Sequence, residues 1–180
     1  MQSSFPLWHL YNKGKNELTM TRICCIVLLA MTGISLNAQS NKAIICTEVC
    51  VANIDQTIDY SNNYGGWIEL YNPTTSGISL DDWYISNDLE ALKKHKLSGY
   101  GVLKPGCYQC VFFDYNAADG EYGPDASKQV RFKLNRKGGT LYLSSNGSNV
   151  DLSITYPESV PRCSYARLRL DSDEWQYCGK

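Results

Sequence analysis

The stretch "VRFKLNRKGGTLYLSSNGSNVDLSITY", Val130–Tyr156, alternates apolar and polar side chains with period two and is broken twice by glycine-containing turns. Val130, Phe132 and Leu134 fall on one face of an extended chain, and Arg131 and Lys133 on the other. Asn135–Gly139 turns the chain, "TLYLS" alternates again, and Asn146-Gly147 supplies a second turn. "NVDLSITY" then places Val150, Leu152, Ile154 and Tyr156 on one side. Alternation between tight turns predicts an antiparallel meander with one dry face.

The same reading extends upstream. "AIICTEVCVA" (Ala43–Ala52) and "WIELYN" (Trp67–Asn72) read as strands flanking a polar loop, "NIDQTIDYSNNYGG". Ile78–Leu80 and Trp83–Ser86 form two short strands separated by Asp81-Asp82. His95–Leu97, Val102–Leu103 and Cys107–Asp114 follow, and Tyr115–Gln129 is a long loop rich in turn formers. Only "DLEALKK" (Asp88–Lys94) has helical character, enough for one or two turns. Many short strands with so little helix predict an all-β sandwich. The expected core includes Ile68, Leu70, Leu80, Trp83, Ile85, Leu141, Leu143, Leu152 and Ile154.

Length and charge narrow the function classes. The chain has 180 residues, room for one domain, and a formal net charge of −1. From Met20 it runs "MTRICCIVLLAMTGISLNAQS": Arg22, an apolar stretch Ile23–Ile34, then Leu36-Asn37-Ala38. This pattern predicts a signal peptide cleaved after Ala38, with Met20 a second candidate start and residues 39–180 the exported domain. About a dozen apolar residues fall short of the roughly 20 needed to span a bilayer, although an uncleaved anchor is the rival reading. Residues 1–38 hold Lys13, Lys15 and Arg22 against Glu17, so the remainder is mildly acidic. That balance gives no reason to expect nucleic acid.

Export permits disulfides among Cys46, Cys50, Cys107, Cys110, Cys163 and Cys178, with the pairing open. Cys107-Tyr-Gln-Cys110 has redox spacing but leads into the strand-like "VFF", whereas a redox pair belongs at a helix N-terminus. The structural reading, paired or buried, is therefore preferred. His95 is the one histidine of residues 39–180, so no zinc set is expected, and no cofactor motif occurs. Its three lysine neighbours disfavour a buried base, and Lys93–Lys96 reads as the one dense basic run. Glu69 should project from its strand beside Trp67 and Tyr71, with no matched acid on a second strand. Asp81 and Asp82 should shape a turn by accepting backbone N–H bonds from two residues on. A calcium role would recruit Asp88, Asp114, Asp119 and Asp125, but the spacing after Asp114 misses that of an EF-hand. The chain thus reads as non-catalytic.

Several motifs, taken in order, resemble the lamin tail domain family. They are Trp67-Ile68-Glu69-Leu70-Tyr71-Asn72, Leu80 with Trp83, Leu103-Lys104-Pro105-Gly106, Leu141-Tyr142-Leu143 and "CSYAR" (Cys163–Arg167), where Ala166 stands for a glycine. The resemblance spans about Ile44 to Cys178 and implies an immunoglobulin-like antiparallel β-sandwich. It makes Trp67, Glu69, Leu70, Tyr71, Asn72, Leu80, Trp83, Pro105 and Gly106 structural signature positions. It also implies an exported interaction, adhesion or scaffolding module whose partner is a protein or surface polymer. The alternative is a carbohydrate- or calcium-binding module accessory to a hydrolase. The end at Lys180 leaves two expectations, the front module of a longer protein or a truncated frame.

Overall fold

Strand β2 (Gly66–Tyr71) shows in miniature how the chain builds its interior: Ile68 and Leu70 are fully buried on one face while Glu69 is only half-buried on the other. A computed structural model of the chain describes residues 43–114 and 128–179. The expected signal segment, Asp119 and Asp125 lie outside the described residues. Around β2, a five-stranded antiparallel sheet runs β11 (Trp175–Gly179), β10 (Cys163–Arg167), β1 (Ile45–Cys50), β2, β7 (Tyr108–Phe113). A four-stranded antiparallel sheet runs β5 (His95–Lys96), β4 (Tyr84–Ser86), β8 (Gly139–Ser144), β9 (Leu152–Tyr156). β3 (Ile78–Ser79) and β6 (Val102–Leu103) form a separate short pair.

The two larger sheets face each other across one core. Val49, Ile68, Leu70, Val111 and Phe113 from the first meet Ile85, Leu141, Leu143, Leu152, Ile154 and Tyr156 from the second. Each of the nine core residues named from the sequence, Ile68 to Ile154, is at most 5% exposed. Fully burying one such aliphatic side chain contributes about 1.5–3 kcal/mol, so this shared interior is the main stabilising term. The protein is an all-β sandwich of antiparallel sheets.

Local chemistry fixes the corners. Lys104–Cys107 is a turn in which the Cys107 N–H donates to the Lys104 carbonyl, with Pro105 second and Gly106 third at φ +67°. This is a type II turn, whose third position favours glycine. Asn72 is fully buried, and its amide donates to the Ser76 and Leu103 carbonyls while its oxygen accepts from Thr74. Leu80–Asp82 forms a single 3-10 turn that buries Leu80 and leads to the buried Trp83.

Four sequence expectations need correction. Val130–Leu134 is not a ladder strand: its described pairing is one parallel bridge between Val130 and Phe113. Its alternation in burial is real, with Val130, Phe132 and Leu134 buried and Arg131 and Lys133 exposed. The segment runs alongside β7 and reaches the β5 side, where Lys94 Nζ lies 5.2 Å from the Phe132 ring centroid. It closes one flank of the sandwich, so it needs the period of a strand without its hydrogen bonds. Val150 is exposed, because β9 starts only at Leu152. Asp88–Lys94 makes two successive turns rather than a helix, through Ala91 N–H to Asp88 O and Lys94 N–H to Ala91 O. Asp81 caps neither neighbour: its Oδ1 accepts from the N–H groups of Gly99 and Gly101, 2.7 and 3.1 Å away.

Candidate functional site

A cleft opens at one end of the sandwich. A cleft of about 340 Å³ lies between the loop at Asn63–Gly66, the end of β7 at Phe113–Asp114, and the segment carrying Lys133, Leu134 and Arg136. Each wall has a local cause. On the first wall, Asp59 Oδ1 accepts from the N–H groups of Ser61 and Asn63, and Asp59 N–H donates to Asn63 O, forming a tight Asx-type loop. Gly65 then passes so close to β7 that a Cβ there would sit 2.7 Å from Phe113 O and 2.8 Å from Asp59 Oδ2. The absent side chain lets the loop seat directly against β7.

The opposite wall is held as firmly. Leu134 is buried while Lys133 and Arg136 project outward. The turn after Leu134 is pinned on both sides: Gly138 N–H donates to Asn135 O, Lys137 N–H to Asn135 Oδ1, and Ser159 N–H to Arg136 O. The Tyr156 hydroxyl accepts from Asn135 N–H. At the floor, the buried Asp114 accepts from Asn63 Nδ2 at 3.2 Å, and Tyr64 is 47% exposed at the rim. The arrangement combines an aromatic face, an amide, a carboxylate and two outward cations, which suits recognition of a polar or anionic group.

The signature residues lie elsewhere. Glu69 stands on the outer face of the five-stranded sheet and accepts a 2.6 Å hydrogen bond from Thr47 Oγ1. Thr47 reaches it because the β1–β2 register shifts between Cys46 and Glu48, making Thr47 the extra residue of a bulge. That register also corrects the sequence reading: Glu48 lies directly opposite Glu69. Neither acid lines the cleft. On the same face, Trp67 packs with Cys50 and Phe112, and Tyr71 lies 4.6 Å from Tyr108 between ring centroids. The candidate calcium ligands scatter among these elements, with Asp81 on Gly99 and Gly101, Asp88 Oδ1 on Glu90 N–H, and Asp114 in the cleft. Among the described residues, no three His, Cys, Asp or Glu side chains gather as metal ligands.

Cys46, Cys50, Cys107, Cys110, Cys163 and Cys178 are all thiols. Burial pushes Cys46 and Cys50 up to about 12 and Cys110 up to about 11, with Glu48 and Glu69 adding to the effect at Cys110. Such thiols are poor nucleophiles. His95 is lowered, first by burial and then by Arg131, so burial rather than its lysine neighbours controls it. The Tyr165–Trp175 stack, 5.4 Å between centroids, already carries the Arg167 guanidinium 4.9 Å from Trp175.

Asn63, Tyr64, Lys133 and Arg136 were not singled out in the sequence. The signal for the two cations was present in "KQVRFKLNRK" (Lys128–Lys137), which holds five basic residues and no acid and is a longer basic run than Lys93–Lys96. No family model, curated protein or solved structure matches the chain. Among the described residues, no helix is long and apolar enough to cross a membrane.

Proposed function

We propose that the protein is an exported, non-catalytic interaction module of lamin-tail type, with an immunoglobulin-like arrangement of its two sheets, that binds its partner in the cleft at the loop end. The cleft carries the reading. It is the place where polar, aromatic and charged side chains converge on a concavity held by a rigid framework, the usual setting for recognition loops. The acids that invite a catalytic reading, Glu48 and Glu69, lie on a sheet face and outside that cleft. The lamin-tail resemblance is supported by the structural work of its signature residues: Leu70, Leu80 and Trp83 in the core, Asn72 as a loop tie, Pro105-Gly106 as a type II turn. Export rests on the Arg22 and Ile23–Ile34 pattern ending at Ala38.

The test has two arms. Fractionation with N-terminal sequencing should return a chain beginning at Gln39 outside the cytoplasm. The purified protein should be retained by cell-envelope polymers or proteins and should turn over no glycosidic, peptide or phosphoester substrate. Turnover abolished by Glu69→Gln or Glu48→Gln would replace the module with an enzyme.

A further inference from the structure

Two basic runs far apart in sequence meet on one flank of the sandwich. Lys94, from the turn before β5, lies over Phe132, and Arg131 is close enough to His95 of β5 to lower its pKa. Arg131 and Lys133, two apart on an extended chain, project on the same side, and Arg136 and Lys137 continue from the pinned turn. Residues 39–180 hold 14 basic and 17 acidic side chains, once Lys13, Lys15, Arg22 and Glu17 are set aside from 17 and 18. A net acidic domain therefore concentrates five cations within ten residues at Lys128–Lys137. Among the described residues, Asp88 and Glu90 precede Lys94 in sequence, Asp114 is buried and accepts from the Asn63 amide, and Glu158 follows the strand that packs against the Arg136–Gly138 turn.

We propose that this flank and the adjoining cleft bind an acidic polysaccharide, a chain bearing carboxylate or sulfate groups. Lys94, Lys133, Arg136 and Lys137 pair with its charges, and a sugar ring rests against Tyr64 beside the Asn63 amide. The chemistry of the surface selects this occupant. Val130, Phe132 and Leu134 are turned inward, so the strip offers neither apolar side chains to enter a lipid surface nor a row of rings on which successive bases stack. One exposed aromatic at the cleft rim suits one sugar ring. This rests on the interaction-module reading and names its ligand class.

Binding of linear polyanions releases counterions, so affinity falls with salt at a log–log slope of about −0.7 per charge contact. Four contacts predict a slope near −2.8, or roughly a fiftyfold loss between 50 and 200 mM salt. The exported chain is titrated against heparin and polygalacturonate, with neutral dextran and single-stranded DNA as comparators. Lys133→Gln with Arg136→Gln, both at exposed positions, should halve the slope to near −1.4, about a sevenfold loss over the same range. Lys104→Gln, on the distant Pro105 turn, should leave binding unchanged. Melting curves check that each variant is folded, and Lys137→Gln is the substitute should the double variant not fold. An unchanged slope in the variant, tighter binding to the DNA, or no binding to either acidic polymer overturns the proposal. Retention of a neutral glycan or a protein by the double variant would also overturn it, yet leave the module reading intact. Catalytic turnover would remove both.

Discussion

Replacing Phe132 by alanine asks whether Val130–Leu134 is held by packing rather than by strand pairing. Phe132 is 7% exposed, meets Phe113 edge-on with 5.3 Å between centroids, and carries Lys94 on its ring. Buried Phe→Ala changes cost about 3–5 kcal/mol, and the edge-to-face pair accounts for about 0.5–1.5 kcal/mol beyond area burial. Because Phe132 closes a flank instead of filling the centre, the low end, about 3 kcal/mol, is expected. The neighbouring exposed Lys133→Ala should stay within about 0.5 kcal/mol. Urea denaturation followed by tryptophan fluorescence measures both. Hydrogen exchange completes the test: Val130 N–H, bonded to Phe112 O, should exchange slowly, whereas Lys133 and Leu134 amides should exchange far faster than those of Leu141 and Leu143. A Phe132→Ala cost below about 1 kcal/mol, or equal protection along Val130–Leu134 and β8, would refute the reasoning.

Other consequences follow from single contacts. Gly65→Ala forces a Cβ to within 2.7 Å of the Phe113 carbonyl and should cost about 1–3 kcal/mol by thermal or urea melting; a neutral result would mean the loop is not seated against β7. Glu48 faces Glu69 across the register, and Glu48→Gln should therefore stabilise by about 0.2–1 kcal/mol at neutral pH; destabilisation would speak against the pairing. At pH 8 a thiol reagent should label Cys107 rapidly and Cys46 only on unfolding, since Cys107 is exposed and Cys46 is fully buried. Thiols raised in the fold keep their protons while the unfolded chain loses them, so stability should fall as pH rises from about 9 towards 12, and a flat profile there would contradict the burial of Cys46 and Cys50.

Much of the fold could be read before any geometry, because burial is written locally. Leu141, Leu143, Leu152 and Ile154 alternate with polar residues, and a period of two puts them on one face whatever they pair with. Pairing itself is non-local. Val130–Leu134 has the pattern of a strand, but its neighbour is a single residue of β7 and the ring stack of Phe113, which no alternation reveals. β10 and β11 are the converse case. Cys163–Arg167 and Trp175–Gly179 pair in full register, yet they are only partly buried at the sheet edge and lack a clean apolar face. Glu48 was invisible as the partner of Glu69 because the Thr47 bulge shifts the register that places them together. The basic flank was half legible: the Lys128–Lys137 run is plain in sequence, but its meeting with Lys94 depends on Phe132 packing across the sandwich edge.

Chemical-shift mapping of the protein during titration with a sulfated polysaccharide tests the central claim most directly. The cleft account predicts shifts concentrated at Asn63–Gly66, Lys94 and Arg131–Lys137, weakening together as salt is raised. Shifts centred instead on Glu48, Glu69, Tyr71 and Tyr108 of the outer sheet face would contradict it.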